Sequence, residues 1–255
     1  MPTGSSIASV ELRAAGARLG ITGAARGEPG GRFAATLTLA VDLGSSFRFI
    51  LIGDSAVRLN TDEVVVVDSG LDQVTATLRQ EAYRAVQAAG GDLDACRGVG
   101  RACAFHGAGA LRPVMRPWLN AARLGALRQA SLERCRIRFP QVPDDIERLL
   151  DRGIAGQGAY QNNTTSPFSY AVLDGSPVPM ELVRVFDRPR ASLRSIELST
   201  DGYFAPGATA DLAAWEDAFA EVERVDPEKI GPYASVKGST PKAWTDDRTV
   251  VIVHL

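Results

Sequence analysis

Histidine and cysteine are scarce in this chain of 255 residues. The histidines are His106 and His254, and the cysteines are Cys96, Cys103 and Cys135. Cys96 and Cys103 lie too far apart for a CxxC motif, so we expect no zinc site built from cysteine and histidine. An odd number of cysteines in a long chain indicates reduced thiols rather than a disulfide framework.

Long hydrophobic runs and a strong net charge are also missing. The sequence has no run of 18 apolar residues that would span a membrane, and its start lacks the pattern of a signal peptide. A formal net charge of −2 gives no general electrostatic reason to bind nucleic acid or an anionic membrane. Asn162 and Asn163 begin Asn-x-Thr sequences, but nothing else indicates secretion. We therefore expect a cytoplasmic protein with no nucleic-acid or membrane partner.

The residues that are present have the composition of an ordinary globular protein, with 45% hydrophobic and 23% charged residues. Apolar alternation predicts strands at 33–41, 47–53, 56–60, 63–68, 168–173, 178–186, 193–200 and 249–255. Apolar spacing of three and four predicts helices at 72–89, 113–138, 144–152 and 210–224, and a weaker helix within 1–32. This order of elements predicts an α+β layered domain rather than a repeating βαβ sheet.

Three further expectations concern the organisation of the chain. Residues 1–255 read as a single domain, with a helical insertion at about 72–152. The stretch at 153–167 has no hydrophobic period and reads as an exposed loop, or as a flap that covers a substrate through Gln161, Asn162 and Asn163. Asp174-Gly175 is typical of a hairpin turn that would pair 168–173 with 178–186.

The most informative stretch is Ser195–Phe204, a half-buried strand that ends in Thr-Asp-Gly. Asp201 follows that strand, and Asp54 and Asp246 lie at the ends of two other strands that read as central. If those strands share a core, the three carboxylates meet at one rim. A cluster of aspartates without histidine or cysteine is the ligand set of Mg²⁺ or Mn²⁺. Three independent turn acids are the alternative on spacing alone.

Three motifs resemble the metal-dependent protein phosphatases (the PPM or type 2C family). They are the Thr-rich segment ending in GDSAVRLN, the strand end LSTDGYF, and the terminal strand DDRTVVIVHL. The motifs come in the order and near the separations of that family. The resemblance implies a four-layer α-β-β-α sandwich and a two-metal hydrolase of phosphoserine and phosphothreonine in phosphoprotein substrates.

The same resemblance implies which residues hold the metals, Mn²⁺ or Mg²⁺. Asp201 and Asp246 would bind one catalytic ion, with the backbone of Gly202 nearby. Asp54, together with Asp201, would bind a weaker third ion. In such enzymes the metal ions activate a bridging water that attacks phosphorus in line.

The chain departs from the family pattern in two motif positions and at its start. Asp247 stands where the family has asparagine, and Ala56 where it has the arginine of Gly-Asp-Ser-Arg. The first two family strands, which carry a phosphate-binding arginine and a metal-bridging Asp-Gly, are absent. We hypothesise that Met1 is an internal methionine lying just after that missing Asp-Gly.

Two other functions stay open. One is a phosphatase-like domain with little or no activity that serves as a regulatory or binding module. The other is an amidohydrolase of the N-terminal nucleophile type, which shares a four-layer sandwich. That reading requires Ser, Thr or Cys exposed at the first residue, whereas removal of methionine from Met-Pro leaves proline.

Overall fold

The computed structural model describes residues 34–240, 243 and 246–255. The helix expected within 1–32 lies outside these described residues. The strands are β1 (Leu37–Asp42), β2 (Ser46–Ile52), β3 (Ala56–Leu59), β4 (Glu63–Val66), β5 (Arg184–Pro189), β6 (Ser195–Ser199) and β7 (Val250–His254). The α-helices are α1 (Leu71–Ala88), α2 (Leu93–His106), α3 (Ala121–Arg138), α4 (Pro143–Arg152) and α5 (Leu212–Val225).

The described strands form two antiparallel sheets, one in the order β1-β2-β5 and the other in the order β4-β3-β6-β7. Alternate side chains of β2 and β3 meet between the sheets in one hydrophobic cluster, and its fully buried members are Phe49, Leu51, Val57 and Leu59. The removal of this apolar surface from water holds the two sheets together.

An ion pair joins edge strands of the two sheets. Arg188 of β5 donates from Nε to a carboxylate oxygen of Glu63 in β4, 3.1 Å away. The edge strands β4 and β5 therefore approach each other at this point.

Helices α1 to α4 follow β4 and pack on one another around a second hydrophobic cluster. They occupy 71–152, the stretch expected to hold a helical insertion. The single-domain assignment of 1–255 stays a prediction. All three cysteines are free and buried, and each lies in a helix of this region.

Two helices differ in extent from the sequence pattern. The stretch 90–112, which reads as a loop or a short helix, contains the 14-residue helix α2, which begins where the Asp92 side chain accepts a hydrogen bond from the Ala95 amide. Helix α3 begins at Ala121 and not at 113, because prolines interrupt the chain before Asn120 caps the helix.

The predicted hairpin around Asp174-Gly175 is wrong. Residues 168–173 form only isolated bridges, between Leu173 and Ala35 and between Tyr170 and Gln161. Strand β5 pairs instead with β2. Proline at 177 and 179 removes two backbone donors just after the turn, which disfavours strand pairing there.

The described residues therefore form an α+β protein with two antiparallel sheets. Within them, no helix combines the length and the apolar character needed to cross a membrane.

Candidate metal and phosphoryl site

The strand register brings the three predicted acids to one rim of the four-stranded sheet. Ala56 at the start of β3 pairs with Ser199 at the end of β6, and Ser199 pairs with Val250 at the start of β7. Asp54, Asp201 and Asp246 all lie just beyond these paired residues, so they leave the sheet at the same edge. The convergence expected from the sequence is present at the level of the backbone.

Close backbone packing holds the end of β6 against the segment before β7. A Cβ atom on Gly202 would lie 2.2 Å from the carbonyl oxygen of Asp247, so only glycine fits there. The Thr200 amide donates to the carbonyl oxygen of Thr249 at 3.0 Å, and the Thr249 amide donates to Oγ1 of Thr200 at 3.0 Å. These contacts keep the acid after β6 beside the acid before β7.

A second glycine turns the chain from β2 toward Asp54. Gly53 has a φ of +90°, and a Cβ there would lie 2.3 Å from Cγ2 of Thr36. Glycine therefore provides both the positive φ and the close approach that this bend requires. The bend directs the chain from the first sheet into the second, with Asp54 at the junction.

The three strand-end acids lie close enough to repel one another. The pKa of Asp201 is raised to about 6, chiefly by burial and in smaller part by the charges of Asp54 and Asp246. Burial also raises the pKa of Asp54, again with a contribution from Asp246. Asp54 and Asp201 are nonetheless exposed to solvent and Asp246 is partly exposed, so the recess is open to water. Such a field favours any cation that enters.

Asp72 belongs to the same cluster and is a residue that the sequence did not single out. It lies in the first turn of α1. Its pKa is raised to about 6, chiefly by burial and then by the charges of Asp54, Asp68 and Asp246. An acid in the first turn of a helix is ordinary helix chemistry, which is why the pattern gave no signal.

Two other acids near strand ends, Asp68 and Asp174, have hydrogen-bond partners within the protein. Asp68 accepts a hydrogen bond from the Gly70 amide at 2.7 Å and another from the Gln73 side chain at 2.5 Å. Asp174 accepts from the Ser176 amide at 2.8 Å. Both contacts are turn chemistry.

A lysine partly neutralises the rim. Nζ of Lys237 lies 3.1 Å from Oδ1 of Asp246, and both side chains are partly exposed. The same ammonium lowers the pKa of Asp72, against the larger effects that raise it. Within the described part of the chain, this lysine contacts one of five carboxylates that act on one another, since Asp68 also raises the pKa values of Asp54 and Asp72.

The donor set fits a hard cation in chemical type, since its carboxylates lack a full set of positive partners. Within the described residues, no group of three or more His, Cys, Asp and Glu side chains stands in a geometry that would hold one ion. A cation at this rim would therefore have to draw the carboxylates closer together.

The loop amides expected to cover a substrate have partners inside the protein. Asn162 donates from Nδ2 to the Val172 carbonyl oxygen at 2.9 Å and accepts from the Val172 amide at 2.9 Å. Gln161 donates to Asp174 at 2.6 Å, and Asn163 accepts from Oγ of Ser169 at 2.8 Å. These bonds give the three amides a structural role in the loop. Their contact with a substrate stays a prediction.

A buried ion pair supports the strands that carry the rim. Arg58 of β3 donates from Nε to Glu197 of β6 at 2.9 Å, and Trp215 of α5 donates from Nε1 to the same carboxylate at 2.7 Å. Arg58 also donates to the Thr209 carbonyl oxygen at 3.1 Å. The network ties β3, β6 and α5 together beneath the acids.

Comparisons with known proteins return no match: no protein-family model, no curated protein and no solved structure matches this chain.

Proposed function

We propose that this chain is a metal-dependent phosphatase domain of the PPM type, which hydrolyses phosphoserine and phosphothreonine in protein substrates. The observation that carries the proposal is the rim. Three strand ends and one helix start bring Asp54, Asp72, Asp201 and Asp246 together. Repulsion among these carboxylates contributes to the raised pKa values of Asp54, Asp72 and Asp201.

The architecture of the proposal is a four-layer α-β-β-α sandwich. Two features support it. The two antiparallel sheets share one hydrophobic cluster, and α5 lies against the other face of the four-stranded sheet through Trp215 and Glu197.

Asp201, Asp246 and Asp54 are the residues that would hold Mn²⁺ or Mg²⁺, in two or three sites. When bound, the ions supply an activated water for attack on phosphorus. The carboxylates hold their charge in a partly buried recess, and Lys237 is a cation at the same rim. Tyr170 lies near these acids and keeps its proton at neutral pH, since burial raises its pKa to about 12. It is therefore a hydrogen-bond donor beside the rim.

A cysteine nucleophile is disfavoured in this protein. Burial raises the pKa of Cys103 to about 12, and it also raises the pKa values of Cys96 and Cys135. A buried thiol with a raised pKa is inert, whereas catalysis needs the thiolate. A water-based reaction without a covalent phosphoenzyme agrees with this.

A regulatory or binding module without activity is the second candidate. The observation that favours it is the lack, within the described residues, of a preformed set of three metal ligands. The N-terminal nucleophile reading concerns residues outside the described part and stays a prediction.

Hydrolysis of a phosphothreonine peptide in the presence of Mn²⁺ tests the proposal, with the given chain beside one extended upstream in the genomic frame. We expect Asp201→Asn to reduce the rate at least 100-fold, because it removes a carboxylate of the proposed metal site. Asp217→Asn, a matched change of an exposed aspartate on α5, should leave the rate within about twofold. An inert extended chain, or equal rates for wild type and Asp201→Asn, would reject the enzyme.

A further inference from the structure

A groove of about 870 Å³ runs beside the acidic rim. One wall is strand β4 with the residue after it, Val64–Val67, and the other includes Tyr170, Val172 and Leu182. Asp54 and Asp72 line the same groove. Its volume lies in the range of sites that bind ligands, and its apolar walls and few acids are typical of such sites.

Strand β4 presents an open edge to this groove. Among the described strands it pairs only with β3, so no strand of the described part of the chain lies on its other side. The side chains of Val64 and Val66 are 53% and 55% exposed. An exposed apolar edge with unpaired backbone groups is a template for pairing with another extended segment.

The charges that line the groove are mostly negative. Among the described lining residues, the acids are Asp54, Asp68, Asp72 and Glu181, and the one cation is Arg184. Negative charge rejects nucleic acid and anionic lipid, and it attracts a segment that carries lysine or arginine.

From the open edge, the apolar walls and the charge we infer that the groove binds an extended peptide with basic side chains, which adds as a strand to β4. Four residues of β4 offer an edge of about 13 Å. Main-chain hydrogen bonds provide affinity in this mode, and alternate side chains enter the groove, where the carboxylates select basic residues. As a peptide site the groove is independent of catalysis. Its role as the substrate groove rests on the proposed function.

The test uses fluorescein-labelled decapeptides without phosphate, so that binding is measured apart from hydrolysis. The first alternates Arg and Val, the second alternates Glu and Val, and the third is the Arg-Val peptide with alternate backbone amides N-methylated to block strand pairing. We expect fluorescence anisotropy to show the Arg-Val peptide binding at least tenfold more tightly than either of the others.

Val66→Lys and Val64→Lys change exposed side chains on β4 and oppose a basic peptide by charge. Each should weaken binding of the Arg-Val peptide at least tenfold. Val251→Lys places the same change on β7, the other edge strand of the sheet, at a side chain that is 49% exposed. It should leave binding within about twofold, and circular dichroism confirms that each variant is folded.

Several results would overturn the inference. Equal binding of the N-methylated peptide would show attraction by charge alone, and unchanged affinity of both β4 variants would place the peptide elsewhere. A dimer that Val66→Lys dissociates, without peptide binding, would assign the edge to a second copy of this chain. Binding of the Arg-Val peptide, together with no hydrolysis of the phosphothreonine peptide, would support the peptide site and count only against the proposed phosphatase activity.

Discussion

Two acids four residues apart on the same stretch of chain, Glu197 and Asp201, have opposite surroundings. The Glu197 side chain is fully buried, and the fold provides its cation in Arg58 and a further donor in Trp215. Asp201 lies at the rim, where other aspartates surround it and its pKa rises to about 6. The difference separates an acid that is paired inside the fold from an acid for which the described residues show no ion pair.

The largest expected effect on stability comes from removing Arg58, the charge partner of Glu197. Arg58→Ala leaves the Glu197 carboxylate buried without its charge partner, which destabilises a protein by about 3–5 kcal/mol. Urea unfolding followed by circular dichroism measures the free energy of unfolding. The double change Arg58→Leu with Glu197→Leu should recover a large part of the loss, because it leaves no buried charge. A loss below about 1 kcal/mol for Arg58→Ala would show that the pair is solvated.

Gly202→Ala tests how tightly the rim is assembled. The added Cβ would meet the Asp247 carbonyl oxygen at 2.2 Å and push the two chain segments apart. We expect a loss of about 1–3 kcal/mol in the free energy of unfolding, as for an overpacked site. The control is Gly125→Ala in α3, where a Cβ meets nothing within 4 Å. It should stabilise the protein by about 0.5–1 kcal/mol through helix propensity. Equal effects of the two changes would contradict the close packing.

The pH dependence of the free energy of unfolding tests whether the carboxylates at the rim repel one another, with Asp72 as the probe. Its pKa is raised from 3.8 to about 6 in the folded protein, so its ionisation opposes folding. This penalty is absent below pH 4, grows as the pH rises toward 6, and is complete above about pH 7. Asp72→Asn should therefore stabilise the metal-free protein more at pH 8 than at pH 4, by about 1 kcal/mol at most after solvent screening.

Asp94→Asn is the matched control for the pH experiment. Asp94 occupies the corresponding first turn of α2, and its side chain is 94% exposed. Both changes remove an acid from the first turn of a helix, so the two profiles differ by what the rim adds at Asp72. Parallel pH profiles for the two variants would refute the electrostatic coupling at the rim.

The smallest effect is expected for Lys237→Ala. Its ion pair with Asp246 is partly exposed, so its removal should change stability by only about 0.2–1 kcal/mol. Arg224→Ala, which breaks an exposed pair with Glu221 on α5, should cost a similar amount. The two variants should differ in metal binding: loss of Lys237 removes a competing cation and should tighten Mn²⁺ binding severalfold. Unchanged Mn²⁺ affinity in Lys237→Ala would place the ion away from Asp246.

The rim was predictable because its signal is local. Alternation identified the strands, and each acid followed or preceded one, as Asp201 follows β6. The partner of β5 was not predictable, because pairing with β2 depends on register between segments more than a hundred residues apart. Asp72 was missed because its position in the first turn of a helix already has an ordinary explanation. The ion pair of Lys237 lies in a loop without any periodic pattern.

The central proposal is that Asp54, Asp201 and Asp246, whose charges the fold does not fully neutralise, bind a divalent cation. Calorimetric titration of the protein with Mn²⁺ at pH 7.5, without substrate, tests this most directly. We predict saturable binding that Asp201→Asn weakens at least tenfold and that Asp217→Asn leaves unchanged. Equal Mn²⁺ affinity in wild type and Asp201→Asn, or no binding to the wild type, would contradict the account.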